Sequence, residues 1–408
     1  GRVLDVLRAR VLAVPRLGQR LRQAPPLLGR PYWESDPRFR PEDHVARVEA
    51  TAGRGPLAVL SDLLCTRLDP ARPLWRAVLV TGLPDGGSAL AIVMHHVLAD
   101  GLGGLAVLAA LADPGPAPAP APPRSRTPAT SRRALVHDVL RSRLQTLRGL
   151  PSAARRAGAG VAELGLVRAA PRLVPRNDLN RPTGGRRVLH HVELPLADVV
   201  ATAHGAGGTV NDVVLAAASG AVLAALDRRG QLPPELVVSV PVSSRGATRA
   251  DRLGNAVGVR PVAVPGVLGH RVRLAAVVAE GARARSAPAP GRGSSAAPMG
   301  AVFRLLGRMR VFQAFIDRQR LVHTFESNLR GPATPLSLAG RPVLRVVPGS
   351  VQPGNVGVSF TALSYAGVLG VTVVADPVVV PDHDRVAADL AGALAALTSA
   401  VPRLDPGL

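Results

Sequence analysis

The sequence predicts an α/β protein of two domains, and three observations predict it. Strand-like runs alternate with helix-like runs in each half of the chain. A Pro/Ala-rich stretch at residues 113–130 separates the halves. The 408 residues, 47% of them apolar, suffice for two cores of ordinary size. The expected division is a first domain over 1–112, a linker and basic helical connection over 113–187, and a second domain over 188–408. No short-period repeat interrupts this pattern.

Residues 1–30 have helical periodicity (Val3, Leu4, Leu7, Val11, Leu12) and end at the turn Pro25-Pro26. Residues 57–68 repeat that pattern through Leu57, Leu60, Leu63 and Leu64. Trp75 to Thr81 and Ala89 to Met94 read as strands, with a hairpin signal, Pro84-Asp85-Gly86-Gly87, between them. A helix is expected from about Leu105. Residues 131–175 read as basic and helical, Asn177 to Gly185 as punctuated loop, Val188 to Leu194 as strand. Val210 to Leu226 is a buried helix and Leu236 to Val242 a buried strand. A flexible Ser/Pro/Gly-rich segment follows at 281–299. Residues 300–321 form an amphipathic basic helix, which packs on the core or lies on an anionic membrane surface. Strands at 343–347, 356–363 and 368–375 lead to a last helix at 384–399.

The net charge is +22 and all 50 cations are Arg. Such a balance attracts anionic partners: CoA phosphates, anionic lipid headgroups or nucleic acid. Nucleic acid is the weakest of these, because aromatics are only 2% and stacking platforms are scarce. The single Cys65 excludes an internal disulfide and a Cys-based zinc site, and is expected as a small core residue. Arg and Pro break every apolar run near the start, so no signal peptide is expected. The chain opens on Gly, which fits a missing true start. No uncharged apolar run reaches the ~18 residues of a membrane span; residues 89–112 come closest.

His95-His96-Val97-Leu98-Ala99-Asp100-Gly101 is the stretch with chemistry in it. A histidine held at a strand end can take a proton from a bound hydroxyl. The plainer reading is a pair of core histidines, with Asp100 as the cap of the following helix. Gly101-Leu102-Gly103-Gly104-Leu105-Ala106 also fits G-x-G-x-x-A, but the acidic residue a dinucleotide fold wants about 20 positions on is missing. Asn211 and Asp212 open an apolar helix, where capping is one reading. His190-His191 reads as strand and His383 as surface loop. Spacing supplies neither HExxH nor a comparable metal cluster, and no G-x-S-x-G elbow.

The pattern HH-x-x-x-DG resembles the active-site motif of the CoA-dependent acyltransferase superfamily. Further matches narrow the likeness: Pro73-Leu74-Trp75; Leu179-Asn180 with Pro182 and Arg186-Arg187; Thr209 to Ala216 (TVNDVVLA); Pro241 to Arg245 with Gly254-Asn255; Ser327 to Pro332; Ser364-Tyr365-x-Gly367; and Pro381-Asp382. In this order and over nearly the whole chain, they resemble the wax ester synthase/diacylglycerol acyltransferase family. The family's usual opening segment has no counterpart ahead of residue 1, and Arg330 stands where Pro is common.

The resemblance implies two chloramphenicol-acetyltransferase-like α/β domains with a substrate channel between them and His96 near its middle. It implies His96 as general base, His95 as orienting neighbour and Asp100 in a structural ion pair, for which Arg245 is the best partner by comparison with condensation-domain relatives. Gly101 would allow a backbone a Cβ would hinder, Asn211 and Asp212 would support the site, and Asn328 would offer a polar donor. The implied reaction moves a long-chain acyl group from acyl-CoA, a substrate, to diacylglycerol or a fatty alcohol, with no cofactor or metal. The location so implied is cytoplasmic, with peripheral contact on the inner membrane face or a lipid droplet. Alternatives are a related acyltransferase acting on a glycolipid, polyketide or carrier protein, a non-catalytic lipid-binding protein, and a basic nucleic-acid binder.

Overall fold

The computed structural model describes residues 2–24, 31–51, 54–84, 86–113, 136–137, 140–141, 173–243, 257–286, 311–350, 352 and 354–399. The chain divides into two units. One comprises Gly1–Ala159, Ser243–Val257 and Pro335–Leu344; the other comprises Gly160–Val242, Gly258–Thr334 and Arg345–Leu408.

In the first unit, α1 (Arg2–Val11) buries Leu4, Leu7 and Val11 on one face, as the periodicity predicts. The helix expected over 1–30 stops there. Pro15, which has no N–H to continue it, opens a single 3₁₀ turn. Extended backbone then forms β1 (Gln19–Arg22), antiparallel to β2 (Tyr32–Ser35). The central sheet has the order β3-β4-β5, from β3 (Val45–Glu49), β4 (Trp75–Thr81) and β5 (Ala89–Met94); β3 runs parallel and β5 antiparallel to β4. Helix α2 (Pro56–Cys65) starts with Pro in its first turn and ends three residues short of the expected 68, where Thr66 turns extended. Cys65 is exposed at its end and is not a core residue. Helix α3 (Gly101–Leu111) begins four residues before Leu105 because Asp100 caps it.

The first unit also takes in a small ladder from late in the chain, Ser337–Leu338 against Arg341–Pro342. Asp113 holds it. Its carboxylate accepts from the amides of Ala339 (2.8 Å) and Gly340 (2.7 Å), and pairs with Arg10 at 2.6 Å.

The second unit is built on a six-stranded sheet of order β6-β11-β10-β9-β7-β8. Its strands are β6 (Val188–Pro195), β7 (Glu235–Ser243), β8 (Val257–Pro265), β9 (Thr324–Arg330), β10 (Val358–Tyr365) and β11 (Val368–Ala375). β10 is antiparallel to β11 and parallel to β9. The helices are α4 (Leu196–Gly205), α5 (Val210–Asp227), α6 (His270–Ser286), α7 (Phe312–Ile316) and α8 (His383–Thr398). Val213 to Leu223 of α5 is buried without a break, so an all-round apolar helix sits in the core between sheet and neighbouring helices. It is long and apolar enough to cross a membrane, but 78% of that window is buried. The segment expected to come nearest to a span, 89–112, is instead β5, a turn and α3.

Three further expectations are corrected. Residues 281–286, placed in the flexible segment, are the end of α6. Within 311–321, helix covers only Phe312–Ile316, because the Gln319 side chain accepts from the amides of Leu321 (2.7 Å) and Val322 (3.1 Å) and turns the backbone out of helix. Residues 343–347 form no strand: the Val343 amide still bonds the Leu336 carbonyl at 2.8 Å beside the small ladder, but Leu344 beyond it is 85% exposed. The linker beyond Asp113 and most of the basic stretch 131–175 lie outside the described residues.

Candidate active site

The HH segment begins where β5 ends. Met94 is the last residue in ladder register, opposite Trp75, and the amide of His95 then bonds the Leu74 carbonyl at 2.9 Å. Residues 96–98 turn, with the amide of Leu98 on the His95 carbonyl at 2.8 Å. Leu98 is fully buried in the core, so the turn is anchored from below and the two imidazoles are left on the outside. The Pro73-Leu74-Trp75 motif therefore has a mechanical role that spacing alone did not disclose. Trp75 donates its indole N–H to the Leu17 carbonyl at 2.7 Å and stacks on buried His44, whose Nδ1 lies 2.9 Å from the Trp75 carbonyl. This fixes the start of β4, and β4 fixes His95.

His95 and His96 are both exposed, which corrects the reading of them as packed core histidines. The Nδ1 of His95 accepts the Val97 amide at 3.1 Å. Packing around the His95 ring, then the adjacent His96, lower its pKa from the usual 6.5. That bond uses an unprotonated Nδ1 and holds the ring in place. His96 makes no hydrogen bond among the described residues.

Asp100 is buried and its Oδ1 accepts the Gly103 amide at 2.9 Å, closing the first turn of α3. Its capping role thus holds, and it shapes the loop that presents His96. Arg245, its expected ionic partner, lies outside the described residues. Gly101 is the first residue of α3 and does not use the left-handed backbone region.

In the second unit, Asp212 forms a reciprocal capping box with Thr209. Its Oδ2 accepts the Thr209 amide at 2.8 Å, and the Thr209 hydroxyl accepts the Asp212 amide at 3.3 Å. Arg285 lies 3.8 Å from the same oxygen. Asn211, half-buried beside it, makes no side-chain hydrogen bond among the described residues. Asn328 is half-buried on β9, in register with Ala362. The start of α5 and β9 meet electrostatically through Glu326, a residue outside every motif named above. Glu326 is fully buried, and neither carboxylate oxygen has a hydrogen-bond partner. Burial, then the nearby Asp212, push its pKa up to about 8, so it is a neutral acid at pH 7. An acidic residue inside the strand-like run Thr324 to Leu329 was the available signal.

Several of the remaining motifs are joints; Ser244-Arg245 and Gly254-Asn255 lie outside the described residues. Asn180 donates to the carbonyls of His323 (2.9 Å) and Asn355 (3.3 Å). Arg187 pairs with buried Asp376 at 3.2 Å. After β9, the Gly331 amide bonds the Ser364 carbonyl at 2.9 Å, and a Cβ on Gly331 would meet that oxygen at 2.5 Å. Ala366 and Gly367, both with positive φ, make the two-residue hairpin from β10 to β11.

Residues 1–214 match the wax ester synthase/diacylglycerol acyltransferase catalytic domain, and residues 269–398 match the WS/DGAT C-terminal domain. The chain is 31% identical over 419 residues to the Mycobacterium tuberculosis protein named "Probable diacyglycerol O-acyltransferase tgs1", covering 97% of this chain and 87% of that one. Among solved structures, the wax ester synthase/diacylglycerol acyltransferase from Marinobacter aquaeolei VT8 superposes with a TM-score of 0.66 at 21% identity, over 97% of this chain and 88% of that one. The first condensation domain of the calcium-dependent antibiotic synthetase gives 0.57 at 18% identity, over 98% and 88%. These two likenesses establish the chloramphenicol-acetyltransferase/condensation type of α/β fold. With both domains matched in order, and a relative of this identity along almost its whole length, the chain belongs to the wax ester synthase/diacylglycerol acyltransferase family.

Proposed function

We propose that this protein transfers a long-chain acyl group from acyl-CoA to the hydroxyl of diacylglycerol or a fatty alcohol, with His96 as the general base. The observation that carries the mechanism is the placement of His96: exposed, free of hydrogen bonds among the described residues, and held on a turn anchored by Leu98 and the Leu74–His95 bond. A base must be both accessible and rigid to take a proton in the transition state. The neutral imidazole of His96 removes the hydroxyl proton as the oxygen attacks the thioester carbonyl. The tetrahedral intermediate then expels CoA thiolate, which recovers the proton from the imidazolium. The thiolate is a good leaving group, so this route needs no acyl-enzyme, metal or cofactor. His95 orients its neighbour, and Asp100 with Gly101 shapes the loop. Asn211, Asp212 and Asn328 carry the supporting roles that the family resemblance implies.

The charge of +22, carried entirely by Arg, favours the phosphates of CoA and an anionic lipid surface. We place the protein in the cytoplasm, in peripheral contact with the inner membrane face or a lipid droplet, where water-insoluble acceptors reside.

The test is thiol release from palmitoyl-CoA by purified protein, with diacylglycerol, a fatty alcohol, a glycolipid and a hydroxyacyl group carried on a carrier protein as separate acceptor arms. Acceptor-dependent release with diacylglycerol or fatty alcohol, abolished in His96→Ala, is expected. Release only in the glycolipid or carrier-protein arm would overturn the acceptor assignment. Full activity in His96→Ala would overturn the mechanism.

A further inference from the structure

We infer that His190, His383 and Asp384 form a binding site for a divalent transition-metal ion of the zinc type, separate from the HH segment. The fold brings together residues 193 positions apart in sequence. His190 lies on β6, an edge strand, in register with the core residue Val373, so its ring takes the helix-covered side of the sheet. Its neighbour His191 points to the other side, where it meets Thr372 and Glu193. His383 is the first residue of α8, which packs along the same side as His190.

The ligand atoms are close to what a metal needs. His190 Nε2 and His383 Nδ1 are 2.9 Å apart, and the Asp384 carboxylate lies 3.7 Å from each ring nitrogen. Two nitrogens bound to one tetrahedral zinc ion sit about 3.3 Å apart, so the rings need to part by only a few tenths of an ångström. The two imidazole side chains are 22% and 17% exposed, which fixes their positions. That of Asp384 is 82% exposed and free to swing in. Solvent supplies the remaining position. Two imidazoles and one carboxylate suit zinc, copper or nickel better than magnesium or calcium. The start of α8 disfavours a cation through its dipole, and Asp384 offsets this; the neighbouring Asp382 is already engaged by Arg228 and Arg229. Bound metal would clip the edge strand to the last helix and stabilise the second unit by mass action.

The alternative occupant of the gap is a proton shared between two imidazoles, and zinc titration separates the two. Tag-free protein, stripped with chelator, is titrated with Zn²⁺ against a chromophoric competitor. One equivalent bound at micromolar zinc is expected. Binding should be weakened at least about tenfold in His190→Ala and in His383→Asn, and unchanged in His191→Ala. Zinc should raise the melting temperature of the wild type and not of His383→Asn. Should a variant fail to fold, Co²⁺ added to the wild type gives a visible band of the intensity of a four-coordinate site. Absence of stoichiometric binding, absence of that band, or zinc binding undiminished in His190→Ala and His383→Asn would each overturn the site.

Discussion

Replacing Asp113 by Asn should loosen the first unit at neutral pH, and the loss should fade in acid. Asp113 lies at the end of α3 and its carboxylate receives two backbone amides and the Arg10 guanidinium. The Gly340 amide, followed by Arg10, Ser337 and Ala339, outweighs the opposing effect of burial and lowers the pKa from 3.8 to about 2. At 1.36 kcal/mol per tenfold change in proton affinity, that displacement corresponds to about 2.5 kcal/mol. The side chain is 18% exposed, and solvent screening trims the contribution to about 1–2 kcal/mol. A carboxylate with a folded pKa below its unfolded value stabilises the protein above the unfolded value, and loses that effect as pH falls through the folded one. The gap between wild type and Asp113→Asn should therefore be full at pH 7 and close between about pH 4 and pH 2. Both tryptophans of the chain, Trp33 and Trp75, lie in the first unit, so fluorescence-detected urea unfolding reads that unit directly. Equal stability at pH 7, or a gap unchanged down to pH 2.5, would refute the reasoning.

Other perturbations follow from the same geometry. His96→Ala should lower kcat by about 10²–10⁴-fold, the usual worth of a general base, while leaving the unfolding midpoint in place because the ring is exposed and unbonded; thiol-release kinetics and urea unfolding check the two halves. Trp75→Phe deletes the indole bond to Leu17 and leaves its buried carbonyl unpaired, at a cost of about 1–3 kcal/mol, read by circular dichroism during urea unfolding. Gly331→Ala forces a Cβ against the Ser364 carbonyl and should cost about 1–3 kcal/mol in the same assay. Glu326 is protonated in the fold and ionised when unfolded between pH 4.5 and about 8, so wild-type stability should fall across that window relative to Glu326→Gln. A constant difference from pH 5 to pH 8 would mean Glu326 is already ionised in the folded protein.

Elements with a strong local signal were legible in the sequence. The strands at 75–81, 89–94 and 368–375 and the helix at 210–227 fall where periodicity and turn residues put them. Elements governed by side-chain competition with the backbone were not. Gln319 ends α7 by accepting two amides, an arrangement with no period to detect. The run 343–347 has strand composition but forms no strand, because strand pairing is decided by the rest of the sheet. The capture of residues 337–342 by Asp113 depends on a contact across more than two hundred positions, and only tertiary structure reveals it.

The same division separates chemistry from scaffold among the motifs. Of the motifs that identify the family, several turn out to be joints: Asn180 bridges two carbonyls, Arg187 pairs with Asp376, Thr209 and Asp212 cap each other, and Gly331 admits a carbonyl. Each satisfies a backbone group or a charge that burial would otherwise leave exposed to a large penalty. Spacing cannot tell such a joint from a reactive group, since both call for Asn, Asp, Arg or Gly at fixed positions. Accessibility does tell them apart. Among the motif side chains bearing a titratable base, Asp100, Asp212 and His95 are each occupied by a backbone hydrogen bond. His96 is not, and the motif's own architecture, with Leu98 below and Leu74 behind, keeps it so. A base that had to break a bond to its own fold before accepting a proton would add that cost to the barrier; the general-base role we propose for His96 carries no such cost.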